Sequence, residues 1–216
     1  TSDWSVGGQP IRTTAVDLYS VGAGGGSIAR VDRGGALLVG PESAGANPGP
    51  ACYGSGVEAT VTDANLLLGR LDLYRPLGGR VSLQLRRAQD SLAPLAEGIG
   101  ASIEEVAFGV LRVVNAHMER AIRVISIERG HDPRDFTLVA FGGAGPMHAC
   151  ELAEGLGLPR VLIPHRPGVL SAQGMTMVDV TREYVTTVMV EEEETVLRVL
   201  GKTILKTTLK EILAEK

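Results

Sequence analysis

"TLVAFGGAGPMHACELAEGLGLPRVLIPHR", residues 137–166, decides the fold. An apolar run enters Phe141-Gly142-Gly143-Ala144-Gly145-Pro146, a helix-prone segment follows, and a second apolar run, "RVLIP" at 160–164, emerges. A strand, a helix and a strand over about 28 residues make the βαβ unit of a parallel sheet, since parallel neighbours need a long crossover. Pro146 suits the helix's first turn, where a missing N–H costs nothing. The glycines leave two readings open. They turn a strand tightly into a helix, or their bare main chain admits a ligand at a helix amino end, where free amides and a partial positive charge favour anions. GGAG has neither the GxGxxG spacing of dinucleotide sites nor the Gly-Lys-Ser/Thr of a Walker loop.

Upstream, Ser102-Ile103-Glu104-Glu105 has the form of a capping box. It opens a long helix in which Val106, Val110, Val113, Val114, Ala121, Val124 and Ile125 keep a step of three or four, with Gly130 expected to end it. "SLQLRRAQDSLAPLAEGIG", 82–100, predicts a helix interrupted at Pro94 and closed by Gly98 and Gly100. A helix is also expected from Thr62, with Thr62 or Asp63 as its cap and Ala64, Leu67, Leu68 and Leu71 as its apolar stripe. "SIARVD" and "ALLVG" flank Arg33-Gly34-Gly35 as a hairpin. At the other end, "EEEETVLRVLGKTILKTTLKEILAEK", 191–216, places acids first and lysines late, matching the helix dipole, with a Leu/Val/Ile stripe for docking on the body or on another chain.

The 216 residues suffice for a sizeable core in one large domain or two small ones. Glycine is unusual at 28 residues, against a typical share of about 7%, and sixteen of them fall in the first 80 positions. That front part needs tight turns or close backbone approach. A net charge of −4 without a basic patch argues against nucleic acid as a partner. No apolar run approaches the roughly 18 residues of a membrane span, and the start lacks a signal peptide's design. Cys52 and Cys150 are too few for a disulfide framework, which makes a reducing cytoplasm the expected setting. The chain opens on Thr1 without an initiator Met, which leads to the expectation that the true N-terminus is missing.

Further residues carry paired readings. Gly24, Gly25, Gly26 and Ser27 in "VGAGGGSIA" can wrap an anion in successive amides, or simply turn the chain. Asp63 and Asn65 can hold a hydrated metal, although capping explains Asp63 more cheaply. Cys52, with no His nearby in sequence, reads as a packed thiol. The four histidines, 117, 131, 148 and 165, lack zinc spacing. His148, in the first turn after Pro146, either contacts a ligand or, the favoured expectation, packs with a lowered pKa. Glu128 to Asp132 reads as a salt-bridged helix end, and Glu191 to Glu194 as a solvated helix start.

The Gly-Gly-x-Gly strand-to-helix turn resembles the adenosine motif of the actin, sugar-kinase and Hsp70 ATPase superfamily. "GVLSAQGMTMVDV" stands where the connecting helix of those proteins would be, with Ser171, Ala172 and Gly174 small enough for close packing. A closer resemblance covers residues 1–185. "VDLYSVGAGGGSIARVD", "GGALLVGPESAGANPGPACYG", "TVTDANLLLGRLD", "AIRVISIERGHDPRDFTLVAFGGAGPMHACELAE" and "IPHRPGVLSAQGMTMVDVTREY" are similar, in order, to the hydantoinase A/oxoprolinase family. The resemblance implies an α/β fold, an incomplete actin-like ATPase (ribonuclease H-like) lobe with a Gly-rich β segment at 1–79 and an α/β part at 80–185; it fades after residue 185, where the amphipathic pattern predicts the terminal helix, 186–216.

It also implies ATP and Mg²⁺, nucleotide contacts at Gly142, Gly143, Ala144 and Gly145, and opening of a cyclic amide such as hydantoin or 5-oxoproline; Gly24, Gly25, Gly26, Ser27 and His148 are weaker nucleotide candidates on their position alone. The family's Asp-x-Gly-Gly-Thr phosphate motifs do not occur here. The expectation is therefore a fragment, split subunit or degraded descendant, inactive alone and completed by a missing lobe or partner subunit. The alternatives are the ATP lobe of an acetone-type carboxylase and a non-catalytic assembly module. No residue stands out as catalytic base or nucleophile.

Overall fold

The computed structural model describes residues 4–6, 9–11 and 18–179. Two compact units divide at residue 175, and of the second only residues 176–179 are described. The expected helix at 186–216 and its acidic start lie outside the described residues.

Strands β1 (Trp4–Val6) and β2 (Gln9–Ile11) pair antiparallel, as do β3 (Ser27–Val31) and β4 (Leu37–Ser43). The second pair is the expected hairpin. Asp32 Oδ1 closes its turn by accepting the Gly34 and Ala36 amides at 2.8 and 2.9 Å. Alternation then puts Ala29 and Val39 inside.

Helix α1 (Val61–Leu67) starts one residue before the expected cap. Thr60 is the N-cap, and Asp63 returns the bond from the third helical position as the other half of a capping box. Thr62 is freed to do something else. Helix α2 (Leu85–Ile99) buries Ala88, Leu92 and Ala96 at four-residue steps and runs through Pro94 without the expected break. Pro94 and Asp90 are both exposed, so the Asp90 carbonyl, which loses its amide donor and crowds the ring, can tilt outward and be satisfied by water.

Helix α3 (Ile103–Ile125) has the expected capping box, with Ser102 and Glu105 bonded reciprocally. It stops before Gly130, because the Ser126 hydroxyl donates back to the Ile122 carbonyl at 2.6 Å and a 3-10 turn, Ile127–Arg129, takes over. Gly130 ends that turn instead. Val106, Val110, Leu111 and Val114 of α3 meet Leu92 of α2 and Val61 of α1 in one core that also receives Ala29 and Val39. The Gly-rich front and the helical middle thus share an interior. Each fully buried Leu or Val contributes about 1.5–3 kcal/mol.

Strand β5 (Thr137–Val139), helix α4 (Gly145–Leu156) and parallel strand β6 (Arg160–Leu162) form the predicted βαβ unit. Helix α5 (Leu170–Met177) follows; Ser171, Ala172 and Gly174 are exposed, so the close packing that their size permits is not made among the described residues. No helix among the described residues is long and apolar enough to cross a membrane.

Candidate functional site

The two glycine turns come together. Gly25 and Gly26 from the first, Gly143 and Ala144 from the second, line one cavity of about 430 Å³. Thr62, Tyr53, Leu71, Leu77 and Met147 complete much of the wall. Small main-chain segments face apolar side chains there, and the volume lies within the 300–1,000 Å³ typical of ligand pockets.

The first turn is built by short-range bonds. The Ser27 amide donates to the Gly24 carbonyl at 3.1 Å, and the Gly24 amide donates to the Ser27 hydroxyl at 3.0 Å. Ser27 is therefore buried inside the turn, and neither it nor Gly24 lines the cavity. The Gly25 carbonyl is held twice by α1, from the Thr62 amide and the Thr62 hydroxyl, both at 2.8 Å. This is the work that capping by Thr60 leaves to Thr62. A Cβ on Gly25 would stand 2.9 Å from that hydroxyl, so the close approach requires glycine.

The second turn divides its glycines by role. Gly142 has φ +86°, a left-handed conformation, and its amide donates to the Pro167 carbonyl at 2.8 Å. Gly143 adopts no such φ, and a Cβ there would meet nothing within 4 Å. Its missing side chain leaves open space beside the cavity. Ala144 is the N-cap of α4 and offers no side-chain cap. Gly142 and Gly145 do not line the cavity.

His148 points elsewhere. It is fully buried, with Nδ1 2.7 Å from Asn115 Oδ1 of α3, so the structure corrects its candidacy as a cavity residue in favour of packing. Burial holds its pKa below the ordinary histidine value; the nearby Arg70 charge lowers it further and Glu151 opposes.

Asp63 also has a different role from the metal ligand considered for it. Its carboxylate is fully buried and accepts from the Cys52 amide at 2.7 Å, the Ala51 amide at 3.3 Å, the Thr60 amide at 2.9 Å and the Thr60 hydroxyl at 2.7 Å. It ties the turn Ala51–Tyr53 to α1 and so carries Tyr53 to the cavity wall. Among the described residues, no group of three or more His, Cys, Asp or Glu could hold a metal ion. Cys52 is buried beside Asp63, and burial first, then that charge, push its thiol pKa far up, which fits a packed thiol. Asp132, at the edge of the salt-bridged helix end expected at 128–132, pairs instead with Arg134 at 2.6 Å and caps the following turn, Pro133–Asp135.

Tyr53, Thr62, Leu71, Leu77 and Met147 were not legible as wall residues. Met147 alone had a local signal, one residue after Pro146 in the first turn of α4.

The sequence model of the family described as Hydantoinase/oxoprolinase matches residues 1–184. This chain belongs to that family. The hydantoinase/oxoprolinase chain is 49% identical over 179 residues to the caprolactamase subunit alpha of Pseudomonas jessenii, covering 82% of this chain and 26% of that protein. It is 37% identical over 201 residues to 5-oxoprolinase 1 of Arabidopsis thaliana, with 82% and 15% covered. The crystal structure of the ATP-dependent caprolactamase from Pseudomonas jessenii superposes with a TM-score of 0.66 at 52% identity, over 73% of this chain and 23% of that one. A nucleotide-free acetone carboxylase, described for its ATP-dependent carboxylation, superposes at 0.71 with 33% identity, over 80% and 25%. The chain thus spans about a quarter or less of these relatives.

Proposed function

We propose that this hydantoinase/oxoprolinase segment is part of an actin-like ATPase lobe and supplies the adenosine side of an ATP site. The reading rests above all on the convergence of Gly25–Gly26 and Gly143–Ala144 on one cavity. An adenine ring fits the chemistry of that wall. Leu71, Leu77 and Met147 offer apolar contact to its faces, and glycine main chain lets its edge and the ribose approach amides and carbonyls directly. Open space around Gly143 supports the same reading, as does the ATP dependence of the two solved relatives, the caprolactamase and the acetone carboxylase. Among the described residues no acidic cluster fits Mg²⁺, so the metal and the phosphate-binding Asp motifs would come from the rest of the enzyme.

The reaction we assign to the complete enzyme is opening of a cyclic amide. Such an amide resists attack because its nitrogen is a poor leaving group and its carbonyl is stabilised by resonance. ATP would supply the phosphoryl group that activates the carbonyl oxygen. This chain's part is to bind and orient the nucleoside while Tyr53 and Met147 screen it from water. Residues 186–216, with their acid-first amphipathic pattern, would serve as an assembly element beyond the 1–185 segment. The free thiols Cys52 and Cys150 suit a reducing cytoplasm. A second reading, the same lobe in a carboxylase, is favoured by the superposition on acetone carboxylase.

Photolabelling the chain with an azido-adenine nucleotide tests the assignment. Adducts are expected at Tyr53, at 71–77 or at 143–147, and labels scattered over the surface would contradict it. The chain alone should show no ATP-dependent ring opening; robust turnover would place the catalytic machinery within these 216 residues.

A further inference from the structure

We propose that Arg70, Glu151, Asn115 and His148 form a positioning ring that holds the amino end of α4 against the cavity, with Glu151 and Asn115 deciding which imidazole nitrogen of His148 carries the proton. The functional half of this proposal rests on the nucleotide reading of the cavity.

Helix α4 gives Ala144 and Met147 to the cavity but has no side-chain cap. Its first turn must be fixed by something else. Arg70, in the loop after α1, bonds one oxygen of Glu151 and reaches the Met147 carbonyl at 3.5 Å. The other Glu151 oxygen accepts from Asn115 Nδ2. Asn115 Oδ1 faces His148 Nδ1 at 2.7 Å, and His148 is bonded along the chain to Met147. The circuit closes through three elements: the loop after α1, helix α3 and helix α4.

The proton's place follows from donor and acceptor chemistry. An ionised carboxylate only accepts, so the amide nitrogen of Asn115 must face Glu151. The amide oxygen must then face His148, and Nδ1 must be the donor. Nε2 is buried with no hydrogen-bond partner among the described residues, so no acceptor awaits a second N–H and the ring is held neutral with its lone pair on Nε2. A cationic ring would put an unmatched N–H there. The charges facing the imidazole are Arg70 from the loop after α1 and Glu151 from α4 itself, while α3 presents the uncharged Asn115. Arg70 and Glu151 are partly exposed, which keeps the ion pair in contact with water. None of the four lines the cavity. They act through Met147 and Ala144 and are positioning residues.

The test uses the full chain as wild type, Asn115→Leu and Glu151→Gln, the last a near-isosteric change at a partly exposed site that should retain the fold. Nitrogen-detected histidine NMR should show His148 as the Nδ1–H tautomer in the wild type. In Glu151→Gln the new amide can donate to Asn115, whose own amide then flips and moves the imidazole proton to Nε2. A merely structural contact would not switch the tautomer. Both variants should bind ADP about tenfold more weakly, the loss of about one buried hydrogen bond, and exchange the amides of 147–151 faster. A wild-type Nε2–H tautomer overturns the proposal. So do variants with ADP affinity within about twofold of wild type and unchanged exchange. If the wild type itself binds no ADP, the nucleotide reading fails, and tautomer and exchange alone decide the ring.

Discussion

Gly25 and Ala144, distant in sequence, meet at the cavity: a Cβ on Gly25 would lie 3.5 Å from the Ala144 Cβ and 2.9 Å from the Thr62 hydroxyl. The contact joins the two glycine turns, and it leaves no room for one more methyl without displacing Thr62. Gly25→Ala should therefore cost about 1–3 kcal/mol in urea unfolding, because Thr62 must abandon its hydroxyl bond to the Gly25 carbonyl. A midpoint equal to wild type would show that the turn yields freely.

Asp63 is the strongest single tie between the Pro/Gly loop and α1. Asp63→Ala leaves two loop amides and both groups of Thr60 without their shared acceptor. The expected loss is roughly 3 kcal/mol, measured by chemical unfolding. A loss within about 0.5 kcal/mol, the range of ordinary surface changes, would contradict that role.

The pH dependence follows from His148. Its folded pKa lies below the ordinary value near 6.5, so the unfolded chain binds the proton more readily. Stability from keeping the ring neutral is complete above pH 6.5 and declines as pH falls toward the lowered folded value. The stability difference between wild type and His148→Gln should shrink on acidification from pH 7 to about 5. A difference that stays constant or grows would contradict the assignment.

The two thiols should separate in a labelling experiment. Cys150 is exposed and should react with a disulfide reagent in the native chain, whereas Cys52 should react only on unfolding. Equal native rates would mean that the loop around Cys52 opens readily.

Features governed by neighbours along the chain were legible from the residues. The Asp32–Gly35 hairpin turn, the Ser102–Glu105 capping box and the strand–helix–strand at 137–162 all follow from local propensity and end signals. Pro94 misled because its effect depends on which face of α2 meets solvent. Asp63 misled because its partners Ala51 and Cys52 come from a separate loop. The halves of the cavity and the members of the Arg70–His148 ring are brought together only by tertiary packing, and no periodicity joins them. The family came from five ordered blocks of residue identity, matched by the model over 1–184, and not from spacing.

The central claim is that the bare main chain at Gly143 exists to admit a nucleoside. Gly143→Val places a branched side chain in open space, without backbone strain and without a clash within 4 Å of its Cβ. Calorimetric titration of the chain and this variant with ADP is the most direct measurement. Binding to the wild type, its loss in Gly143→Val and an unchanged thermal midpoint are predicted; binding of equal strength to both proteins would contradict the account.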